Sequence, residues 1–149
     1  MTPASSSAES AAQIRALIDD RINAVRNRDV DAAMSSIAPD ILSFDVVGPL
    51  QCFGSDALTR AEEWFASFQG PLAYEIGDLS ISAGDDVAFA FGLSHVNGTK
   101  TGGGQLDMWW RTTFGFHKHD GKWLVTHEHN SVPFDVESGK ASLDLKPSL

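Results

Sequence analysis

The chain of 149 residues contains a single cysteine, Cys52. No internal disulfide can staple it, which fits a reducing cytoplasm. A catalytic thiol needs a base beside it, and none can be assigned to Cys52, so its expected role is a small buried filler. No apolar run approaches the roughly 20 residues of a membrane span. The opening "MTPASSSAESAA" has no positive segment followed by an apolar one, so it does not read as a secretory signal. Basic residues are scarce, 11 Lys and Arg against 20 Asp and Glu, for a net charge of −9. That balance disfavours nucleic acid and anionic membranes as partners. Internal repeats and interior linkers are also missing, so one domain is expected. Residues 1–12 read as a flexible polar lead, 13–135 as the domain and 136–149 as a mostly polar tail. The length suffices to bury a core without metal or disulfide support.

What is present is a helical first half and a strand-rich second half. From Ala11 to Arg28, Ile14, Leu17, Ile18, Ile22 and Val25 recur at helical spacing. Arg21 falls inside that stripe, so it must either snorkel outward or face a polar hollow. Asp29 is placed to cap a short second helix that ends at Pro39. "ILSFDVVG" alternates as a strand, with Ile41, Ser43 and Asp45 on one face and Leu42, Phe44 and Val46 on the other. Ser55 is the expected cap of a third helix whose inner stripe is Leu58, Ala61, Phe65 and Phe68. Beyond Pro71 the chain reads as antiparallel strands, with turns at Gly84-Asp85-Asp86 and Asp120-Gly121. The glycine-rich "NGTKTGGG" lacks the pattern and following helix of a phosphate cradle.

The last strand holds "WLVTHEHNSVPF", in which His127 and His129 flank Glu128. Counting pairs outward from Asp120-Gly121 sets Phe114 opposite His127, Thr112 opposite His129 and Thr113 opposite Glu128. A one-residue bulge would exchange the histidine and glutamate sets relative to those partners, so either set can line the interior. A metal site needs a third converging ligand. His95, His117 and His119 do not fall into place, and only Asp45 or Glu128 could complete one. No metal and no cofactor are therefore expected. Met108, Trp110, Phe114 and Phe116 share one strand face and suit a homodimer formed through the sheet.

These elements resemble the nuclear transport factor 2-like superfamily, in particular its SnoaL-like and ketosteroid-isomerase-like members, over about Ile14 to Phe134. "NRDVDAAMSSIAPDILSFDVVGPLQCFG" is similar to the isomerase pattern of short helix, acidic strand residue and glycine before the third helix. "DGKWLVTHEHNS" resembles the closing strand of SnoaL-like domains and of the calcium/calmodulin-dependent kinase association domain. The resemblance implies an α+β fold: a cone-shaped, cystatin-like roll, with three N-terminal helices packed on a curved, mostly antiparallel sheet that encloses a pocket. It implies that the proton-shuttling aspartate falls on Asp45, the oxyanion-hole tyrosine on Arg21 and the second donor near Thr113.

The expected function is a cofactor-independent enzyme that moves a proton, isomerises or cyclises a partly apolar carbonyl compound. Asp45 is the expected base. Arg21 and Arg111 would orient or stabilise an anion, and His127 or His129 would relay protons. Trp64, Trp109, Phe44 and Glu128 would line the substrate site. The alternative is a non-catalytic module that binds a small ligand or oligomerises. Arg21 can also form a buried structural bridge to Asp107 or Glu128.

Overall fold

The computed structural model describes residues 3–148. Helix α1 (Pro3–Arg26) is followed by α2 (Val30–Met34) and strand β1 (Ile37–Phe44). The two-residue β2 (Cys52–Phe53) leads into α3 (Gly54–Ala66). Four long strands complete the domain: β3 (Phe68–Ala83), β4 (Val87–Lys100), β5 (Gln105–His119) and β6 (Lys122–Ser131). They form one six-stranded sheet in the order β2-β1-β6-β5-β4-β3. Every neighbouring pair is antiparallel except β1 with β6, which is parallel.

Helix α1 starts earlier than its apolar stripe suggests. Proline at its start is pre-set for helical φ, and Ser10 is buried one turn before Ile14, extending the inner face toward the N-terminus. Asp29 caps α2 as expected, accepting a bond from the Ala32 N–H. Helix α3 differs from expectation at both ends. Its N-cap is Phe53 and no side chain caps it, Leu58 is 47% exposed, and Phe68 already belongs to β3. Gly54 opens α3 because a Cβ there would collide with the carbonyl oxygen of Pro39. Cys52 is buried.

The Asp120-Gly121 turn forms with φ of 50° and 80°, as its two-residue signature requires. Pairing follows the expected register only as far as Phe116 with Val125. There Thr126 is inserted as a bulge, and beyond it Gly115 pairs with His127, Phe114 with Glu128, Thr113 with His129 and Thr112 with Asn130. The bulge exchanges the two sets. Glu128 and Asn130 now share the face of Phe114 and Thr112, while His127 and His129 turn to the other side. His95 pairs with Trp109.

The helices cover the face of Phe114 and Phe116, which are 3% and 0% exposed. Met108, Trp110, Phe114 and Phe116 therefore pack inward and cannot form an outward dimer face. The uncovered face carries Val87, Phe89 and Phe91 instead. The interior holds two apolar clusters. One gathers Ile14, Ile18, Phe114, Phe116 and Val125; the other gathers Val25, Phe65, Phe68, Leu72 and Val96. Polar side chains occupy the boundary between them.

Candidate functional site

The boundary follows from the strand periodicity. The inward residues of β4 run Ala88, Ala90, Gly92, Ser94, Val96, and those of β5 run Trp110, Thr112, Phe114. Ser94 and Thr112 face each other at 0% and 2% exposure, and their hydroxyl oxygens are 2.6 Å apart. On α1, Arg21 lies between Ile18 of the first cluster and Val25 of the second. The bulge at Thr126 adds Glu128 and Asn130 from β6.

These side chains form a chain whose direction can be worked out from their chemistry. An indole N–H can only donate. Trp110 Nε1 lies 3.0 Å from Asn130 Oδ1, which fixes the amide orientation. Asn130 Nδ2 then donates to Glu128 Oε2 at 3.2 Å. Thr112 donates its one hydroxyl proton to Asn130 Oδ1 at 2.9 Å. Its oxygen is thereby left to accept from Ser94, and Ser94 in turn to accept from the Tyr74 hydroxyl at 3.4 Å. Every donor in the sequence Tyr74, Ser94, Thr112, Asn130 points toward the Glu128 carboxylate, an arrangement in which successive bonds polarise one another. The Tyr74 link is long for an O–H···O bond, so that hydrogen bond is weak.

At the far end, Glu128 Oε1 is 3.2 Å from Arg21 Nη1. The two form an ion pair by distance, yet Nη1 is shielded from solvent and makes no hydrogen bond, because its N–H is not aimed at the carboxylate oxygen. The guanidinium lies over the Phe114 ring at 5.3 Å, a cation–π contact. It borders a small cavity of about 20 Å³ walled by Ile18, Ile22, Val25, Ile76, Phe114 and Tyr74. That volume has room for about one water, so a ring-sized ligand requires its walls to part. Arg21, Ile22, Tyr74 and Ile76 of that wall are only partly buried. Burial pushes the Tyr74 phenol above the ordinary tyrosine range, and the Ser94 bond draws it partly back. The phenol is thus a neutral donor at neutral pH.

The residues singled out from sequence are divided among three places. Arg21 and Glu128 meet in the interior. Asp45 follows the end of β1 and accepts a 2.9 Å bond from Arg60 of α3. It also accepts from the Val46 N–H at 2.8 Å and does not border the cavity. The Asp45 bond raises the Arg60 pKa above its ordinary value. Trp64 of α3 packs edge-on against Phe68 in the second cluster. Phe44, His127, His129, Trp109 and Arg111 lie on the uncovered face. Phe44 stands edge-on to both histidines, at 5.0 and 5.3 Å. His127 Nδ1 donates to the Leu42 carbonyl at 2.6 Å. Trp109 stacks on His95 at 4.2 Å, and Arg111 donates to Ser131. Among the described residues, no three His, Cys, Asp or Glu side chains form a group suited to a metal ion. No described helix is long and apolar enough to cross a membrane.

Tyr74, Ser94, Thr112 and Asn130 were not singled out from sequence. Two signals could have found them. Ser94 and Thr112 are hydroxyl residues in otherwise apolar inward sets, and Tyr74 is the only tyrosine.

A crystal structure of an NTF2-like protein of unknown function from Pseudomonas putida KT2440 superimposes with a TM-score of 0.86 at 34% identity. The match covers 95% of this chain and 99% of that one. A ketosteroid isomerase-like protein from Erwinia carotovora atroseptica matches at 0.69 and 21% identity, covering 83% of this chain and 95% of that one. A proposed dehydratase of the NTF2-like family from Streptomyces avermitilis matches at 0.72 and 13%, covering 87% and 97%. These last two share the fold. Among curated proteins nothing matches. The SnoaL-like domain profile matches residues 14–135, and with the roll of three helices on a curved sheet it establishes that the chain belongs to the SnoaL-like family.

Proposed function

We propose that the chain is a cofactor-independent enzyme that moves a proton on a small, partly apolar carbonyl compound, leading to isomerisation, cyclisation or loss of water. One observation carries this reading. Arg21 holds a solvent-shielded Nη1 with no hydrogen-bond partner at an apolar cavity, 3.2 Å from a carboxylate. An unpaired buried donor is costly, and a substrate oxygen would satisfy it. Loss of a proton from the carbon beside a carbonyl moves charge onto that oxygen, where a fixed guanidinium stabilises the transition state more than the ground state. The apolar walls strengthen that attraction by excluding water. The likeness in fold to a ketosteroid isomerase-like protein and a proposed dehydratase agrees with this class of chemistry.

The test is exchange of the α-protons of cyclic ketones in heavy water, followed by proton NMR. Exchange well above the buffer rate, lost in Arg21→Met, supports the reading. A wild-type protein that accelerates no ketone leaves a non-catalytic binding module.

The uncovered sheet face favours self-association. Phe89 and Phe91 stack at 6.3 Å and are 49% and 47% exposed, an apolar patch of the kind that marks an interface. A second copy on this face would bury them. Sedimentation should give a dimer for wild type and a monomer for Phe91→Asp; an unchanged dimer removes this face from consideration.

A further inference from the structure

We propose that Glu128, carried inward by the bulge at Thr126, is the proton-accepting residue of this site, and that the substrate it serves is uncharged. The inference rests on the functional reading above. Four side chains are candidates for the base. Asp45 is bound to Arg60 and to its own chain at Val46, with no contact to Arg21. His127 and His129 lie on the opposite face of the sheet. Glu128 does not line the cavity itself, but alone of the four it stands beside the guanidinium that does, the group that would hold the substrate oxygen.

Its two carboxylate oxygens are differently engaged. Oε2 accepts from Asn130, itself held by Trp110 and Thr112. Oε1 faces Arg21 without a hydrogen bond, so a lone pair is free. One oxygen is anchored and the other can act. In the step proposed, the C–H bond beside the carbonyl breaks and its electron pair moves into the carbonyl to give an enolate. The proton goes to Glu128 Oε1, and the enolate oxygen rests on Arg21 Nη1, with the Tyr74 hydroxyl turning from its long contact with Ser94 to serve as second donor. Return of the proton to the same or a conjugated carbon completes an isomerisation with no net oxidation. Asn130 is a positioning residue that orients the carboxylate.

Charge sets the substrate class. Among the described residues that line the cavity Arg21 is the only charged one, and Glu128 already balances it. A substrate carboxylate would place a second negative charge against Glu128 with no further cation to offset it, a contact that desolvation makes costly. A neutral ketone or enone meets no such penalty.

The experiment compares cyclohexanone α-proton exchange in heavy water for wild type, Glu128→Gln, Glu128→Asp and Asp45→Asn. Near-ultraviolet circular dichroism checks the fold of each. Glu128→Gln should lose about 100-fold or more, the usual scale of a general base. Glu128→Asp should keep part of the rate, and Asp45→Asn should stay within about twofold of wild type. Loss in Asp45→Asn with retention in Glu128→Gln overturns the assignment and leaves the enzymatic reading standing. No exchange by wild type overturns both. For substrate charge, phenol should inhibit wild type and benzoate should not, and benzoate binding should appear in Glu128→Gln as Arg21 loses its counter-charge. Benzoate inhibiting wild type more strongly than phenol contradicts the neutral-substrate claim.

Discussion

Replacing Thr112 by valine tests the interior polar chain without changing side-chain shape. Thr112 is 2% exposed and its hydroxyl makes two bonds, accepting from Ser94 at 2.6 Å and donating to Asn130 at 2.9 Å. Valine keeps the β-branch that suits a strand and removes both bonds. Asn130 Oδ1 retains Trp110 as a donor, but the Ser94 hydroxyl, 0% exposed, loses its acceptor. A buried donor left unpaired costs about 1–3 kcal/mol. At an unfolding entropy of about 2.1 cal/mol/K per residue, a chain of this length loses roughly 0.3 kcal/mol for each degree. A cost of about 2 kcal/mol therefore lowers Tm by about 6 °C. Scanning calorimetry measures it, with Thr113→Val on the exposed side of the same strand as the control, expected within about 0.5 kcal/mol of wild type. Adding Ser94→Ala to Thr112→Val should recover part of the loss, because the stranded Ser94 donor is then gone while Tyr74 gives up only its long contact with Ser94. Equal effects of the valine substitutions at 112 and 113 would refute the chain as drawn.

Two further outcomes follow from the same geometry. The only tyrosine, Tyr74, should give a single ultraviolet titration displaced to higher pH than that of free tyrosine. Its folded pKa lies above the unfolded value near 10.0, so its stabilising contribution is complete below that pH and is lost as pH rises through the folded pKa. A midpoint at or below that of the unfolded chain refutes the burial argument. Gly54→Ala should destabilise by about 3 kcal/mol or more in urea melts, since the methyl meets the Pro39 backbone rather than a movable side chain. A near-neutral result would mean that α3 does not start against β1.

Much of the architecture was legible in the residue pattern. The stripe of Ile14, Leu17, Ile18, Ile22 and Val25 located α1, Asp29 located α2, and Asp120-Gly121 located the last hairpin. The Arg21–Glu128 bridge stood among the sequence expectations as one possible use of the arginine. What was not legible depended on a single residue of register. No composition rule marks Thr126 as a bulge, because threonine is also an ordinary strand residue. Yet that insertion decides whether Glu128 or the two histidines enter the interior. Asp45 shows a different limit: parity aligned it with Ile41 and Ser43, but β1 ends at Phe44, and past a strand end alternation no longer governs direction. Met108, Trp110, Phe114 and Phe116 mark an apolar surface in the sequence without showing that the protein's own helices pack on it.

The most direct measurement is a pair of double-mutant cycles on stability in urea, one joining Glu128→Gln to Arg21→Met and the other joining Glu128→Gln to Arg111→Met. The bulged register puts Glu128 with Arg21, both about one-fifth exposed at 23% and 19%, whereas an unbroken register would put it on the face of Arg111. The account predicts a coupling of about 1–2 kcal/mol with Arg21, above the 0.2–1 kcal/mol of fully exposed pairs, and none resolvable with Arg111. Coupling to Arg111 and none to Arg21 would contradict it.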